Sequence, residues 1–394
     1  MIMNSLFKFL IPLTILLYVF IGCAPEYDRN ETESNSDEFE ARTINTEYEE
    51  IHLTKVVGGL EHAWSLAFLP DERILVTERP GRLNVIDNGN VTEISGLPDI
   101  NIANQGGLLE VSVHPNYEEN GWIYLTYSKP NGEDETVTAV ARAQLEGNSL
   151  SNFEEIFEQD RYSSPGRHYG SRIAWNDDGT MFVSIGDRGA DPPRAQDLGD
   201  HAGTLLRLND DGSVPDDNPF IGQNDALPEI YSYGHRNIQG LVIDPSTGDI
   251  WGTEHGPRGS DELNFIEPTL NYGWPTVTLG RDYGTEDEFG HAEARSMDGM
   301  IDPVWEFLPT LAPSGLAMVT HNQFPNWEGN LLAGGLRAER IMRIVIEDQE
   351  VIHMEELILG EIGRVRDIRE GPDGNIYIVN DQSDGGLFRI EPAN

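Results

Sequence analysis

The residues able to do chemistry in this chain are spread over short polar stretches. These are Gln105-Gly106-Gly107, Arg167-His168-Tyr169-Gly170, Ile185-Gly186-Asp187-Arg188-Gly189, Gly234-His235-Arg236-Asn237, Glu254-His255-Gly256-Pro257 and Gly363-Arg364-Val365-Arg366. Their arginines stand out, because the chain has 26 Lys+Arg against 68 Asp+Glu and a net charge of −42. Guanidinium groups gathered on loops suit an anion, above all a carboxylate gripped in a bidentate fork. Arg364 and Arg366 alternate, so on one strand both side chains face the same way. Taken singly, His168 reads as a packing or turn histidine, the stretch around Asp187 as a hairpin turn, and Asp261-Glu262 as a solvated turn. Imidazole is still the side chain whose ordinary pKa, about 6.5, best suits accepting a proton near neutrality.

Scattered groups of this kind need a scaffold that brings loops from many places to one point. Six times a turn containing Pro, Asp, Asn or Gly leads into a short apolar strand. Leu69-Pro70-Asp71-Glu72 precedes Ile74-Leu75-Val76, and the turn from His114 to Gly121 precedes Trp122-Ile123-Tyr124-Leu125. Asn176 to Gly179 precedes Met181-Phe182-Val183-Ser184, and Asp244 to Asp249 precedes Ile250-Trp251. Pro325 to Asn330 precedes Leu331-Leu332, and Gly371 to Gly374 precedes Ile376-Tyr377-Ile378-Val379. Repeats made of strands and turns indicate a β-propeller. The fold class is therefore all-β, a six-bladed β-propeller over 51–394, with 270–305 the segment able to hide a seventh blade. Loops of a propeller meet around its central channel, which is where the polar stretches are expected.

Charge and composition narrow the partners. An acidic surface repels phosphate backbones, so no nucleic-acid partner is expected. It also gives anionic lipid no electrostatic grip. One cysteine, Cys23, excludes a disulfide framework and a cysteine-built metal site. Met1 to Lys8 is a weakly positive opening, and Phe9 to Ile21 is an apolar run too short to span a bilayer. Phe20-Ile21-Gly22-Cys23 is similar to a bacterial lipobox. Residues 1–22 thus read as a lipoprotein signal peptide and Cys23 as the lipidation site. The product is an exported protein, periplasmic or cell-surface, held at the membrane only through that anchor. Residues 23–50, rich in Glu, Asp, Asn and Ser, read as a disordered acidic tether.

Six ordered motifs go further. Gln105-Gly106-Gly107-Leu108-Leu109, His168-Tyr169-Gly170-Ser171-Arg172, Tyr233 to Gly240, Glu254 to Glu262, Asn271-Tyr272-Gly273-Trp274-Pro275 and Arg364-Val365-Arg366-Asp367 resemble the soluble PQQ-dependent sugar dehydrogenases. The resemblance runs from about residue 55 to the end. It implies a six-bladed propeller that uses pyrroloquinoline quinone (PQQ) and Ca2+ to oxidise aldoses at C1 to the lactone. It makes His168 the general base, Asp187 its orienting carboxylate and Arg236 the group facing the quinone oxygens. It assigns the cofactor to Gln105, Arg236, Asn237, Tyr283, Thr310, Ser314, Arg337, Arg364 and Arg366. It assigns metal to the carbonyls of Gly256 and Pro257, and a second ion to Glu262 and the Tyr272 backbone.

Two positions depart from the pattern: Arg337 stands where a lysine is usual, and Leu308 where the glucose enzymes have a tryptophan over the sugar. The departure at Leu308 points to a broad aldose enzyme. The expected partners are an aldose and an unidentified electron acceptor, and the expected assembly is a monomer or homodimer. A propeller that binds a ligand without chemistry is the competing class; joint retention of His168, Asp187, Gln105, Arg236, Asn237, Arg364 and Arg366 speaks for the enzyme.

Overall fold

The structure, a computed structural model, describes residues 39–132, 134–285 and 287–393. The signal-peptide segment and Cys23 lie outside the described residues. Six antiparallel sheets follow one another along the chain as the blades of a propeller. Blade 1 has strands Ala63–Phe68, Ile74–Glu78, Arg82–Asp87 and Asn90–Ile94. Blade 2 has Leu108–Val113, Trp122–Pro130, Thr136–Glu146 and Ser149–Glu158; blade 3 has Ile173–Trp175, Met181–Ile185, Thr204–Leu208 and Ile230–Tyr233. Blade 4 has Ile238–Ile243, Ile250–Glu254, Asp261–Ile266 and Trp305–Phe307; blade 5 has Pro313–Met318, Leu331–Gly335, Arg340–Glu347 and Glu350–Leu357. First strands of neighbouring blades lie side by side, as from blade 3 through 4, 5 and 6 back to 1, so they line the axis.

Blade 6 closes the ring. Val365–Glu370, Ile376–Asn380 and Gly385–Pro392 come from the C-terminal end, and Glu50–Leu60 from the N-terminal end pairs with the last of them. The register runs from Ile51 opposite Pro392 to Leu60 opposite Gly385. Each of the six sequence turns is the hairpin between the first and second strands of a blade. Second strands such as Ile74–Glu78, Met181–Ile185 and Leu331–Gly335 are buried at every residue. A strand covered on both faces has no reason to alternate polar and apolar side chains. Apolar clusters fill the spaces between sheets: Leu75, Leu83 and Ile94 of blade 1 pack with Val111, Leu125 and Ala141 of blade 2.

The structure corrects the tether and gives the suspected seventh blade a different form. Residues 267–304 lie between the third and fourth strands of blade 4, and the described residues among them form no sheet of their own. The ordered body also starts before Ile51, since Arg42–Asn45 is a fifth strand on blade 6, paired with Glu50–Leu53. The reading of 23–50 as disordered therefore fails for 39–50. Composition hid two kinds of contact there. Phe39 and Ile44 pack on the blade 5–6 core, with the Phe39 ring 5.2 Å from that of Phe388. Acidic residues find blade 5 partners: the Glu47 amide donates to Glu355 at 2.6 Å, and the Glu47 carboxylate takes Arg343 and His353.

Candidate active site

Two sets of loops meet at one end of the propeller: those entering a first strand, and those leaving a second strand. Gln105, His168, Asn237 and Arg364 belong to the first set; Arg79, Asp187, His255, Leu336 and Asp381 belong to the second. Together they surround a cavity of about 360 Å3, lined among others by Trp64, Arg79, Gln105, His168, Arg236, Asn237, Tyr283, Arg364, Arg366 and Asp381. Of the expected residues, the structure thus brings Gln105, His168, Arg236, Asn237, Tyr283, Arg364 and Arg366 together.

His168 sits on a tight turn with φ 52°, a left-handed conformation costing a non-glycine residue about 1–3 kcal/mol. Neighbours hold it there. Its amide donates to Gln105 Oε1 at 2.8 Å, and Arg188 donates to the carbonyls of Arg167 and His168. Gly186 packs so close that a Cβ would lie 2.1 Å from the His168 carbonyl oxygen, so only glycine fits. The ring is fixed from behind. Nδ1 lies 2.6 Å from Asp187 Oδ1, and the other Asp187 oxygen accepts the Trp274 indole N–H at 2.8 Å. Asp187 Oδ1 also accepts the Gly189 amide at 2.8 Å.

The charge state follows from these contacts. Burial pushes Asp187 up, but His168, Arg236 and the Trp274 donor outweigh it, and the carboxyl falls below its ordinary value. An ionised carboxylate only accepts, so Nδ1 carries the ring proton. Burial, with help from Arg236 and Arg167, outweighs Asp187 and lowers the pKa of His168. The imidazole is therefore neutral at pH 7, with the Nε2 lone pair free of hydrogen bonds to described residues. A neutral ring in a fixed tautomer can take a proton.

Arg236 enters the cavity next to it. Its backbone N–H donates to Glu254 at 2.8 Å, its Nη1 to the His255 carbonyl at 3.2 Å, and its guanidinium lies 5.1 Å from the Trp274 ring centroid. Its Nε is buried with no partner. Asn237 Oδ1 accepts the Gly170 amide at 3.0 Å. Burial, with Arg236 and His168 opposing Asp261, pushes His255 down to about 4; its Nε2 donates to the Pro313 carbonyl at 2.7 Å.

Across the cavity, Arg364 and Arg366 converge on one carboxylate. Asp381 Oδ2 accepts from Arg364 at 3.1 Å and from Arg366 at 2.8 Å, while Oδ1 lies 2.8 Å from His62 Nδ1. Burial raises Asp381, and Arg366, His62 and Arg364 more than reverse it, so its carboxyl lies well below the usual range. Arg366 Nε is buried without a partner.

The remaining expected residues do not line the cavity. Ser314 Oγ donates to the Val365 carbonyl at 2.7 Å, Thr310 donates to Asp261, and Arg337 is exposed. Leu308 is 69% exposed, and Tyr283, though lining the cavity, is also 69% exposed. Gly256 and Pro257 are buried in a tight loop, where a Cβ on Gly256 would lie 2.0 Å from the Ser260 carbonyl oxygen. Glu262 shares the Asn264 amide with Glu254, at 3.3 and 3.0 Å, and burial plus Glu254 holds its pKa well above the usual range. Tyr272 stacks on His235 with ring centroids 4.5 Å apart. Among the described residues, no group of three or more His, Cys, Asp or Glu side chains could hold a metal. Ion donors here would have to include backbone carbonyls.

Residues 60–389 match the family model described as glucose/sorbosone dehydrogenase. The chain belongs to this family. The aldose sugar dehydrogenase YliI of Escherichia coli is 36% identical, over 85% of this chain and 91% of its own. Quinoprotein glucose dehydrogenase B of Acinetobacter calcoaceticus is 31% identical, over 83% of this chain and 84% of its own. The PQQ-bound aldose sugar dehydrogenase of Streptomyces coelicolor superposes with a TM-score of 0.73 at 27% identity, covering 89% of this chain and 98% of its own.

Sequence reasoning gave no role to Arg79, Asp381, His255, Leu336 or Trp274. The first four share a signal: each is the residue immediately after the second strand of its blade. Aligning the blades at that point brings them out. Trp274 lies in the blade 4 excursion, where no repeat position exists.

Proposed function

We propose that this chain is a quinoprotein aldose dehydrogenase that oxidises the C1 hydroxyl of an aldose to the lactone with PQQ and calcium. One observation carries the reading: a neutral, tautomer-fixed His168–Asp187 couple opens onto a cavity that holds Arg79, Arg236, Arg364 and Arg366 in a chain of net charge −42. The quinone, when bound, accepts the hydride from C1. Its carboxylates fit Arg364 and Arg366, and the orphaned Nε atoms of Arg236 and Arg366 are donors that an anionic ligand would satisfy.

His168 Nε2 takes the proton of the C1 hydroxyl as the hydride departs. Asp187, with Trp274 on its second oxygen, holds the ring in place and stabilises the imidazolium formed. Arg236 meets negative charge as it develops, from a buried position where such a contact is strong. Gln105 ties the His168 backbone to the loop of blade 2.

For calcium, the carbonyl oxygens of Gly256 and Pro257 are hard donors of the kind it prefers, and a bound ion would supply a Lewis acid. The crowding of Glu254 and Glu262 supports a second cation near Glu262 and the Tyr272 backbone. Lipid anchoring of an exported protein through Cys23 completes the reading; Cys23→Ala is expected to move the chain from the membrane to the soluble fraction.

The test is reconstitution. Apoprotein given PQQ and calcium is expected to reduce an artificial acceptor dye with several aldoses, and to do nothing when either addition is withheld. A chain that binds PQQ and calcium but oxidises no aldose would instead be a binding propeller.

A further inference from the structure

Beneath the cavity, the axis of the propeller is closed by charge. Arg172, 1% exposed, immediately precedes the first strand of blade 3. Its Nη1 donates to Glu110 Oε2 of blade 2 at 2.8 Å and to Asp367 Oδ1 of blade 6 at 2.9 Å. Its Nε donates to the Gln239 carbonyl of blade 4 at 2.6 Å, and its Nη2 to the Arg366 carbonyl at 3.1 Å. The guanidinium lies 4.2 Å from the ring centroid of Trp64 in blade 1. Arg369 completes a set of two cations and two anions by bonding both Asp367, at 3.1 Å, and Glu110. Blade 5 presses on the same point, since a Cβ on Gly315 would lie 2.4 Å from Asp367 Oδ1.

A buried ion network is weak evidence for stability, because an apolar plug of equal volume often does as well. What such a plug lacks is direction. Three residues touched by Arg172, namely Trp64, Gln239 and Arg366, form part of the cavity wall. Arg172 also follows His168, Tyr169, Gly170 and Ser171 directly in the chain. It is thus covalently joined to the base and hydrogen-bonded to the backbone that carries the anion-binding arginine.

We propose that Arg172 is a positioning residue of the site: its guanidinium fork fixes the distance between the His168 side and the Arg366 side of the cavity. This rests on reading the cavity as the quinone site. Lysine at the position keeps the charge but cannot reach Glu110, Asp367, Gln239 and Arg366 together.

The matched control is Arg343. It is also 1% exposed, bonds Glu355 at 2.8 Å and Asn330 at 2.7 Å, lies 6.0 Å from the Trp327 ring centroid, and does not touch the cavity. Full-length wild type, Arg172→Lys and Arg343→Lys are compared by melting temperature and by PQQ titration with calcium, followed by tryptophan fluorescence. Both variants are expected to melt earlier. Only Arg172→Lys is expected to weaken PQQ binding, by about tenfold, the scale of a typical coupling between linked sites. If it does not fold, Glu110→Gln, which keeps the shape and removes one negative charge facing Arg172, takes its place with the same expectation. Wild-type affinity in a destabilised Arg172→Lys, or an equal loss in Arg343→Lys, overturns the inference. A wild type that binds no PQQ overturns the functional reading and this inference with it.

Discussion

On the blade 3 and 4 side of the cavity, His168, Asp187 and Arg236 are 9%, 0% and 7% exposed, and Asp187 is held by His168, Gly189 and Trp274 at once. On the blade 6 side, the Arg364 side chain is 41% exposed, and two arginines and His62 share the single carboxylate of Asp381. The first wall is dry and rigid, suited to setting a protonation state. The second is wetter at Arg364, with cations whose present partner an incoming carboxylate could replace. Partner sharing, more than burial, separates the two tasks, since Arg366 is as buried as His168 at 9%: moving a proton needs a defined tautomer, and gripping an anion needs charge that can rearrange.

If that division holds, damage to each wall has a different signature. His168→Gln removes the base and leaves a polar side chain, so turnover is expected to fall by about 10²–10⁴-fold while PQQ affinity stays near wild type. Stopped-flow reduction of the bound quinone, beside a binding titration, separates the two. Arg366→Gln should do the reverse. Losing a charge-assisted contact weakens PQQ binding by about 10- to 100-fold, with turnover at saturating PQQ largely kept. If Arg366→Gln lowers turnover as much as His168→Gln does, the walls are not separable. Arg337→Ala gives the smallest effect: the residue is exposed and off the cavity, so affinity and turnover should both stay within about twofold.

How much of this was legible follows from the repeat. The six turns between first and second strands recur in kind, so the blade count could be read from them. The wall arginines Arg236, Arg364 and Arg366 stood out because arginine on glycine-bounded loops is conspicuous in so acidic a chain, whereas His168, a turn histidine when taken singly, was singled out by the family resemblance. Asp381 did not stand out, since one more aspartate after a strand looks like a solvated turn among 68 acidic residues. Residues 39–50 misled for a related reason: their charges read as a solvated tether, while Glu47 pairs across to Arg343 and His353. Trp274 and Tyr283 reach the site from the irregular 267–304 excursion, which no periodicity describes.

Proton transfer to a neutral His168 is tested most directly by the pH dependence of kcat/KM for aldose oxidation. Because burial and Arg236 hold the imidazole below its ordinary value, the acid limb should lie below about pH 6.5, with the rate falling as Nε2 becomes protonated. Asp187→Asn removes the negative charge beside His168 that raises its pKa, so the limb should move to still lower pH. In His168→Gln the limb should vanish. A limb above pH 7, or one that survives unchanged in His168→Gln, would contradict the assignment of His168 as the base.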